Sequence, residues 1–312
     1  MISVPGNLLI AGEYAITEEG GLGFAVAVDT YVVARTSDSA SFSVRGITGH
    51  ASRRAVETEN GAGGLIERVV EFACDRIGVE PARLEGSAEI DSAALFDPNG
   101  RKLGYGSSAA ATIAACGIVL KASGMDSETT NILPLLAVDA HRHAQGGRGS
   151  GYDVFASMHG GCGLFVGGAR PSWHSVPARW LDRLGISHTE RPVATTDAIR
   201  AYETWKRKTP DIARDYVSRS NAAVETLANA DDLTDALESL RACARLGVEL
   251  GNAIGIPATL DQHRIDLPLL QRDIVCKALG AGNETVGCFG DKSEFPGEWS
   301  VARIDRIGVR WR

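Results

Sequence analysis

Leu65, Ile66, Val69, Val70, Ala73 and Ile77 recur three and four residues apart, the spacing of one helix face, and Gly78 supplies the stop. The same periodicity predicts a helix over 109–122, ending near Gly124, and another over 132–145. Pro134 is compatible with that helix only because it falls in the first turn. Two apolar runs, 8–11 (LLIA, closed by Gly12) and 24–35 (FAVAVDTYVVAR), read as strands, the second rich in β-branched residues. A glycine-rich break at 146–151 precedes a short helix from Tyr152, and 162–166 reads as a strand. From 168 to 190 the pattern loosens, which places a domain boundary there. Beyond it, helical recurrence covers 198–206, 212–227 and 233–250, and 300–312 alternates as a terminal strand. Strands and helices mixed without regular βαβα alternation predict an α+β fold, not a doubly wound sheet.

At 312 residues the chain is long for one core, so two domains are expected, 1–170 and 171–312. The formal net charge is -7 and no run of more than three consecutive Lys and Arg occurs, which argues against a nucleic-acid partner. An acidic chain that binds a polyanion must do so locally, through backbone N–H groups, a helix N-terminus and a cation such as Mg²⁺. The six cysteines form no CxxC pair, and several fall in apolar helical patterns, where cysteine acts as a small buried hydrophobe. A disulfide framework or zinc site is not expected. No signal-peptide pattern or bilayer-length apolar run is seen, so no membrane partner and a cytoplasmic address are expected.

Gly104-Tyr105-Gly106-Ser107-Ser108-Ala109-Ala110 directly precedes the Ala-rich helix. Glycines let backbone N–H groups approach a polyanion without a Cβ in the way, and the helix start aims further amides and its dipole at the same spot. Gly104, Gly106, Ser107, Ser108 and Ala109 are therefore the candidate phosphate-binding residues. Ser107 or Ser108 is the expected N-cap of the empty protein, with Ser108 the candidate ligand for Mg²⁺ on a nucleotide. A plain capped helix after a glycine turn fits the same residues. The dinucleotide fingerprint fails, because the loop follows Phe96-Asp97-Pro98-Asn99-Gly100-Arg101-Lys102 and no strand separates the helix from Asp126. No G-x-x-x-x-G-K-[ST] occurs.

Asp153 follows Gly149-Ser150-Gly151-Tyr152 at the start of the short helix. A carboxylate there can orient or deprotonate an acceptor group opposite a γ-phosphate, and it can equally serve as a first-turn acid favoured by the helix dipole. His141 and His143, two apart on a helix, face different ways and are read as non-ligands.

These loops, the N-terminus and a third loop resemble the GHMP kinases (galactokinase, homoserine, mevalonate and phosphomevalonate kinases) in the same order along nearly the whole chain. The segment from Val4-Pro5-Gly6-Asn7 to Gly12-Glu13-Tyr14-Ala15 looks like the family's first motif, 104–110 like its glycine-serine phosphate loop, and 280–287, after Lys277, like its third. Within the family, Lys102-Leu103, Gly149-Ser150-Gly151-Tyr152-Asp153-Val154 and Thr195-Thr196-Asp197 through Trp205 are most similar to phosphomevalonate kinases.

The resemblance implies a two-domain α+β fold, the N-terminal domain like domain 2 of ribosomal protein S5 and the C-terminal one a ferredoxin-like α/β sandwich. It implies ATP with Mg²⁺ and transfer of the γ-phosphoryl group to (R)-5-phosphomevalonate, by a monomer or homodimer. On that basis Asp153 and Lys102 are catalytic, and Glu13, Tyr14, Ser150, Gly151, Thr196 and Ala281 contact the acceptor. Arg148 joins them on charge grounds, because a phosphorylated acceptor needs a nearby cation. A solvated loop arginine is the other reading. Mevalonate or a sugar is the alternative acceptor. The chain departs from the family at Asn7, where a Lys is usual, near His141, where mevalonate kinases place a Mg²⁺-binding Glu, and at Asn283-Glu284-Thr285. The first and last of these admit a further alternative, a fold retained for binding or regulation without catalysis.

Overall fold

A computed structural model describes residues 1–47, 64–125, 132–147, 149–188, 193, 195–256, 258, 274–281, 285–290 and 299–312. The chain folds as two compact units, one of Met1–Asn7, Ala27–Gly160 and Asp305–Arg312, the other of Leu8–Val26 and Gly161–Ile304. The boundary expected at 170/171 falls inside the second unit.

In the first unit, strands β1 (Ile2–Ala11) and β2 (Leu22–Ser37) each contribute part of their length. They join β3 (Ser43–Ile47), β4 (Ser87–Asp91) and the two-residue strand at Arg310–Trp311, which pairs antiparallel with the start of β1, Ile2 opposite Trp311. β2 and β4 are antiparallel, Val33 opposite Asp91, whereas β3 and β4 are parallel, with α1 (Leu65–Ile77) in the chain between them. A parallel pair needs a crossover of this kind. Gly78 ends α1 in the left-handed region, φ 72°, at the expected stop.

Helix α2 (Ser107–Ala122) is the axis of this unit, packed by α1, β4, α3 (Ile132–Ala144) and α4 (Tyr152–His159). Every residue from Ala109 to Leu120 is buried. A helix apolar on all sides has no solvent face to offer, and its small alanines admit neighbours closely. At Gly117 a Cβ would lie 2.6 Å from the ring of Trp311, so the C-terminal strand needs that glycine.

In the second unit, β5 (Cys162–Val166) pairs antiparallel with the first part of β2, Leu22 opposite Val166, and with β6 (Ser172–Val176). A separate antiparallel sheet is formed by β7 (Arg183–His188), β8 (Ile274–Leu279), β9 (Thr285–Gly290) and β10 (Ser300–Arg303), in the order β10-β7-β9-β8. Helices α5 (Thr195–Lys208), α6 (Pro210–Ala228) and α7 (Leu233–Ile254) complete it, α6 opening on Pro210 and α7 ending at Gly255 with φ 75°. Tyr14, Tyr202, Tyr216, Leu246 and Leu250 form the helical core, and Ile274, Cys276, Val286 and Cys288 a smaller one on β8 and β9. The fold is α+β, as the mixed pattern predicts.

The expected terminal strand over 300–312 is two strands. The buried Asp305 carboxylate accepts N–H bonds from Ile307 (3.0 Å) and Gly308 (2.7 Å), and Gly308 takes φ 85°, so the chain turns between β10 and β11 (Arg310–Trp311). A local carboxylate-to-backbone bond outcompetes the ladder here.

Candidate active site

The glycine-serine loop is shaped from beneath by β1. Gly104 and Gly106 take φ 73° and 64°, a region glycine enters without strain. Asn7 N–H donates to the Tyr105 carbonyl at 3.0 Å, and a Cβ at Gly6 would stand 2.7 Å from that oxygen. A Cβ at Gly106 would stand 2.2 Å from Asn7 Nδ2. The Asn7 carboxamide, fully buried, fills the space under Gly106 and donates to Ser157 Oγ at 3.0 Å; its Oδ1 has no partner among the described residues.

The N-cap of α2 is Gly106, not Ser107 or Ser108 as the sequence suggests, because both serines already lie within the helix. No side chain caps this end and its first turn holds no acid. Its leading amides and dipole therefore face the loop without an internal anion. Beside them lies a cavity of about 530 Å³, whose lining combines apolar Ile66, Ile90 and Phe96 with Ser107 and Ser108 and the charged Arg45, Glu67 and Lys102. Lys102 is exposed and held by an antiparallel bridge to Phe96. A cavity that combines apolar side chains with cationic and N–H groups suits a flat ring joined to phosphates.

Asp153 sits in the first turn of α4, whose N-cap Gly151 has φ 95°. One carboxylate oxygen accepts the Val154 N–H at 2.9 Å, and the other lies 3.3 Å from Nδ1 of His141 on α3. The remaining nitrogen of His141 meets Ser108 Oγ at 3.2 Å and the Gln145 amide at 2.8 Å. Burial disfavours charge on His141, but the adjacent Asp153 carboxylate outweighs it and raises the imidazole pKa. Burial also disfavours the Asp153 anion, yet the charge and hydrogen bond of His141, with the Val154 N–H, hold that carboxyl below its usual value. Asp153, His141 and Ser108 thus form one chain from the glycine break to the head of α2. Sequence spacing alone separated His141 from both partners.

Ser150 is buried beside Asp153, and its carbonyl and that of Gly149 accept from Arg142 at 2.6 and 2.9 Å. Arg142 therefore clamps the glycine break, a role no motif signalled. Arg148 lies outside the described residues.

Glu13, Tyr14 and Ala281 belong to the second unit. Glu13 is buried, and its carboxylate accepts from Lys277 Nζ at 2.5 Å. Lys277 also donates to the Ile10 and Ala278 carbonyls, each at 2.7 Å, so all three ammonium protons are satisfied. Tyr14, φ 63°, packs on Tyr202 with ring centroids 5.5 Å apart. Ala281 packs against the same aromatic cluster, in the turn that follows β8. Thr196 lies in α5, its side chain outside the described atoms, as are Asn283 and Glu284.

Residues 64–161, which include the loop, α2 and the whole Ser108–His141–Asp153 chain, match the family model for the GHMP kinases N terminal domain. That match spans less than half of the chain. Solved structures extend the likeness over the full length. The Lin0012 protein from Listeria innocua is 19% identical with a TM-score of 0.78, covering 99% of this chain and 98% of that one. Streptococcus pneumoniae phosphomevalonate kinase, in complex with phosphomevalonate and AMPPNP, is 18% identical at TM-score 0.69, with 94% and 93% covered. Methanococcus jannaschii mevalonate kinase is 15% identical at TM-score 0.72, with 97% and 98% covered. No curated protein sequence matches the chain. The chain has the fold of these solved structures. Among the described residues, no helix is long and apolar enough to cross a membrane.

Proposed function

We propose that this protein is an ATP-dependent small-molecule kinase that phosphorylates (R)-5-phosphomevalonate. The observation that carries the reading is the uncapped start of α2 behind Gly104 and Gly106, beside a cavity that Lys102, Ser107 and Ser108 help to line. In this reading the adenosine packs on the apolar side chains of the cavity and the triphosphate takes the amides of 106–109. An oxygen of the acceptor phosphate attacks Pγ, the Pγ–O bond to the β-phosphate breaks, and ADP leaves with that electron pair. Lys102 stabilises phosphate charge, and Asp153 orients the acceptor group beside Ser150 and Gly151. Asp153 is paired with His141, so it presents less negative charge to an anionic acceptor than a lone carboxylate would.

The subgroup resemblance of Lys102-Leu103 and Gly149–Val154 supports phosphomevalonate over mevalonate. The test is ADP release with phosphomevalonate, mevalonate and a hexose side by side. Turnover only with phosphomevalonate is expected; turnover only with another acceptor would move the substrate assignment. Asp153→Ala should lower turnover by about 10²–10⁴-fold while AMPPNP still raises the melting temperature. A near-normal rate would remove Asp153 from the chemistry.

Asn7 favours a second reading, a nucleotide-binding module without transfer, because a neutral buried carboxamide under the loop offers the phosphates no cation. Stabilisation by AMPPNP with no ADP release from any acceptor would establish it.

A further inference from the structure

The fold family implies a Mg²⁺ ion beside the phosphate loop, with Ser108 as the expected ligand. Mg²⁺ takes an octahedral set of oxygens, normally one or two carboxylates together with phosphate oxygens and water. The side chains around Ser108 do not make such a set. The neighbour of its hydroxyl is an imidazole nitrogen, His141 Nε2 at 3.2 Å. That ring has no lone pair free for a metal, since Nδ1 faces Asp153 at 3.3 Å and Nε2 also meets Gln145 at 2.8 Å. The Asp153 carboxylate stands on the far side of the imidazole from Ser108, one oxygen on His141 and the other on the Val154 N–H at 2.9 Å. Among the described residues no group of three or more His, Cys, Asp or Glu is placed to hold a metal ion.

We infer that His141 is a positioning residue that occupies the place of a metal-holding carboxylate, tying Ser108 at the head of α2 to Asp153 on α4, and that any Mg²⁺ in the site is held by the nucleotide's phosphates and not by this chain. The inference rests on the kinase reading. Its physical content is a trade. A protein-held cation would fix the loop serine and the acceptor-side carboxylate through a charge that leaves with the product. A buried imidazole fixes the same two groups through hydrogen bonds that persist when the site is empty. The distance constraint is satisfied in both cases, but only the second leaves the geometry independent of metal.

Two measurements separate failure of this inference from failure of the kinase reading. Calorimetric titration with AMPPNP in EDTA and in Mg²⁺ asks first whether nucleotide binds. No binding under either condition would end the kinase reading and this inference with it. With binding established, Mn²⁺ is titrated into AMPPNP with and without the protein, and free Mn²⁺ is followed by its electron paramagnetic resonance signal. The wild type should tighten Mn²⁺ retention by no more than about threefold, whereas His141→Glu, which restores a carboxylate beside Ser108, should tighten it by about tenfold or more. Retention already tighter by about tenfold in the wild type, or coupling of the bound Mn²⁺ to isotopically labelled histidine nitrogen in a pulsed experiment, would overturn the inference. If His141→Glu does not fold, His141→Asn keeps a donor toward Asp153. That variant should recover part of the turnover lost in His141→Ala with Mn²⁺ retention unchanged, and Mn²⁺ retention that falls in His141→Ala would count against the inference.

Discussion

Helices α2 and α7 begin in opposite ways. At α7 the Asp232 side chain accepts the Asp235 N–H at 3.0 Å, and Asp235 adds a second acid to the first turn. At α2 the cap is a left-handed glycine, no side chain accepts, and no acid is present. A missing cap costs about 1 kcal/mol. Helix α2 is stabilised instead by burial of every residue from Ala109 to Leu120, which outweighs that cost many times over. The amides that α7 closes for stability are left without a side-chain cap on α2, where the proposed nucleotide would take them.

Closing the α2 end should have the larger effect. In Gly106→Ala the new methyl meets Asn7 at 2.2 Å in a left-handed backbone, where an L side chain is strained in any case. A loss of about 2–4 kcal/mol is expected by denaturant titration. Gly100 shares the positive φ, 79°, but has open space around it, so Gly100→Ala should lose only about 1 kcal/mol. Equal losses would show that Asn7 does not brace the loop. Ser107→Asp gives α2 the first-turn acid that α7 has. It should weaken AMPPNP binding by about tenfold without lowering the melting temperature, because the carboxylate competes for the same dipole. Unchanged affinity would move the phosphates away from this end. Asp232→Ala opens α7 and should cost about 1 kcal/mol, read as a drop in melting temperature, with AMPPNP affinity unaltered.

Two of the buried ion pairs among the described residues show a parallel contrast. Lys277 places all three protons on Glu13 and two carbonyls, so that pair is closed and reads as architecture. His141 and Asp153 keep a hydrogen-bonded path out to Ser108, at the head of α2.

Much of this was legible along the chain because its causes are local. Gly104 and Gly106 ahead of an alanine run announce a loop that can approach phosphate, since backbone freedom and small volume belong to the residues themselves. The helical faces of 65–77 and 233–250, and Asp153 in a first turn, follow from spacing in the same way. The edge of β1 under the loop was legible only as a motif, and the turn at Asp305 was missed because its competitor to the ladder is one carboxylate.

What the tertiary structure alone decided is every contact across distance in sequence. Helix spacing places His141 and His143 on different faces but does not say what those faces meet; packing of α2, α3 and α4 inserts His141 between Ser108 and Asp153. The cavity wall of Ile66, Ile90 and Phe96 joins a helix, a strand and a loop. Glu13 and Lys277 meet across 264 positions. Hydrophobic pattern and glycine placement set which backbone shapes are available, but a pair's energy depends on a separation and a local dielectric that exist only once the elements have packed.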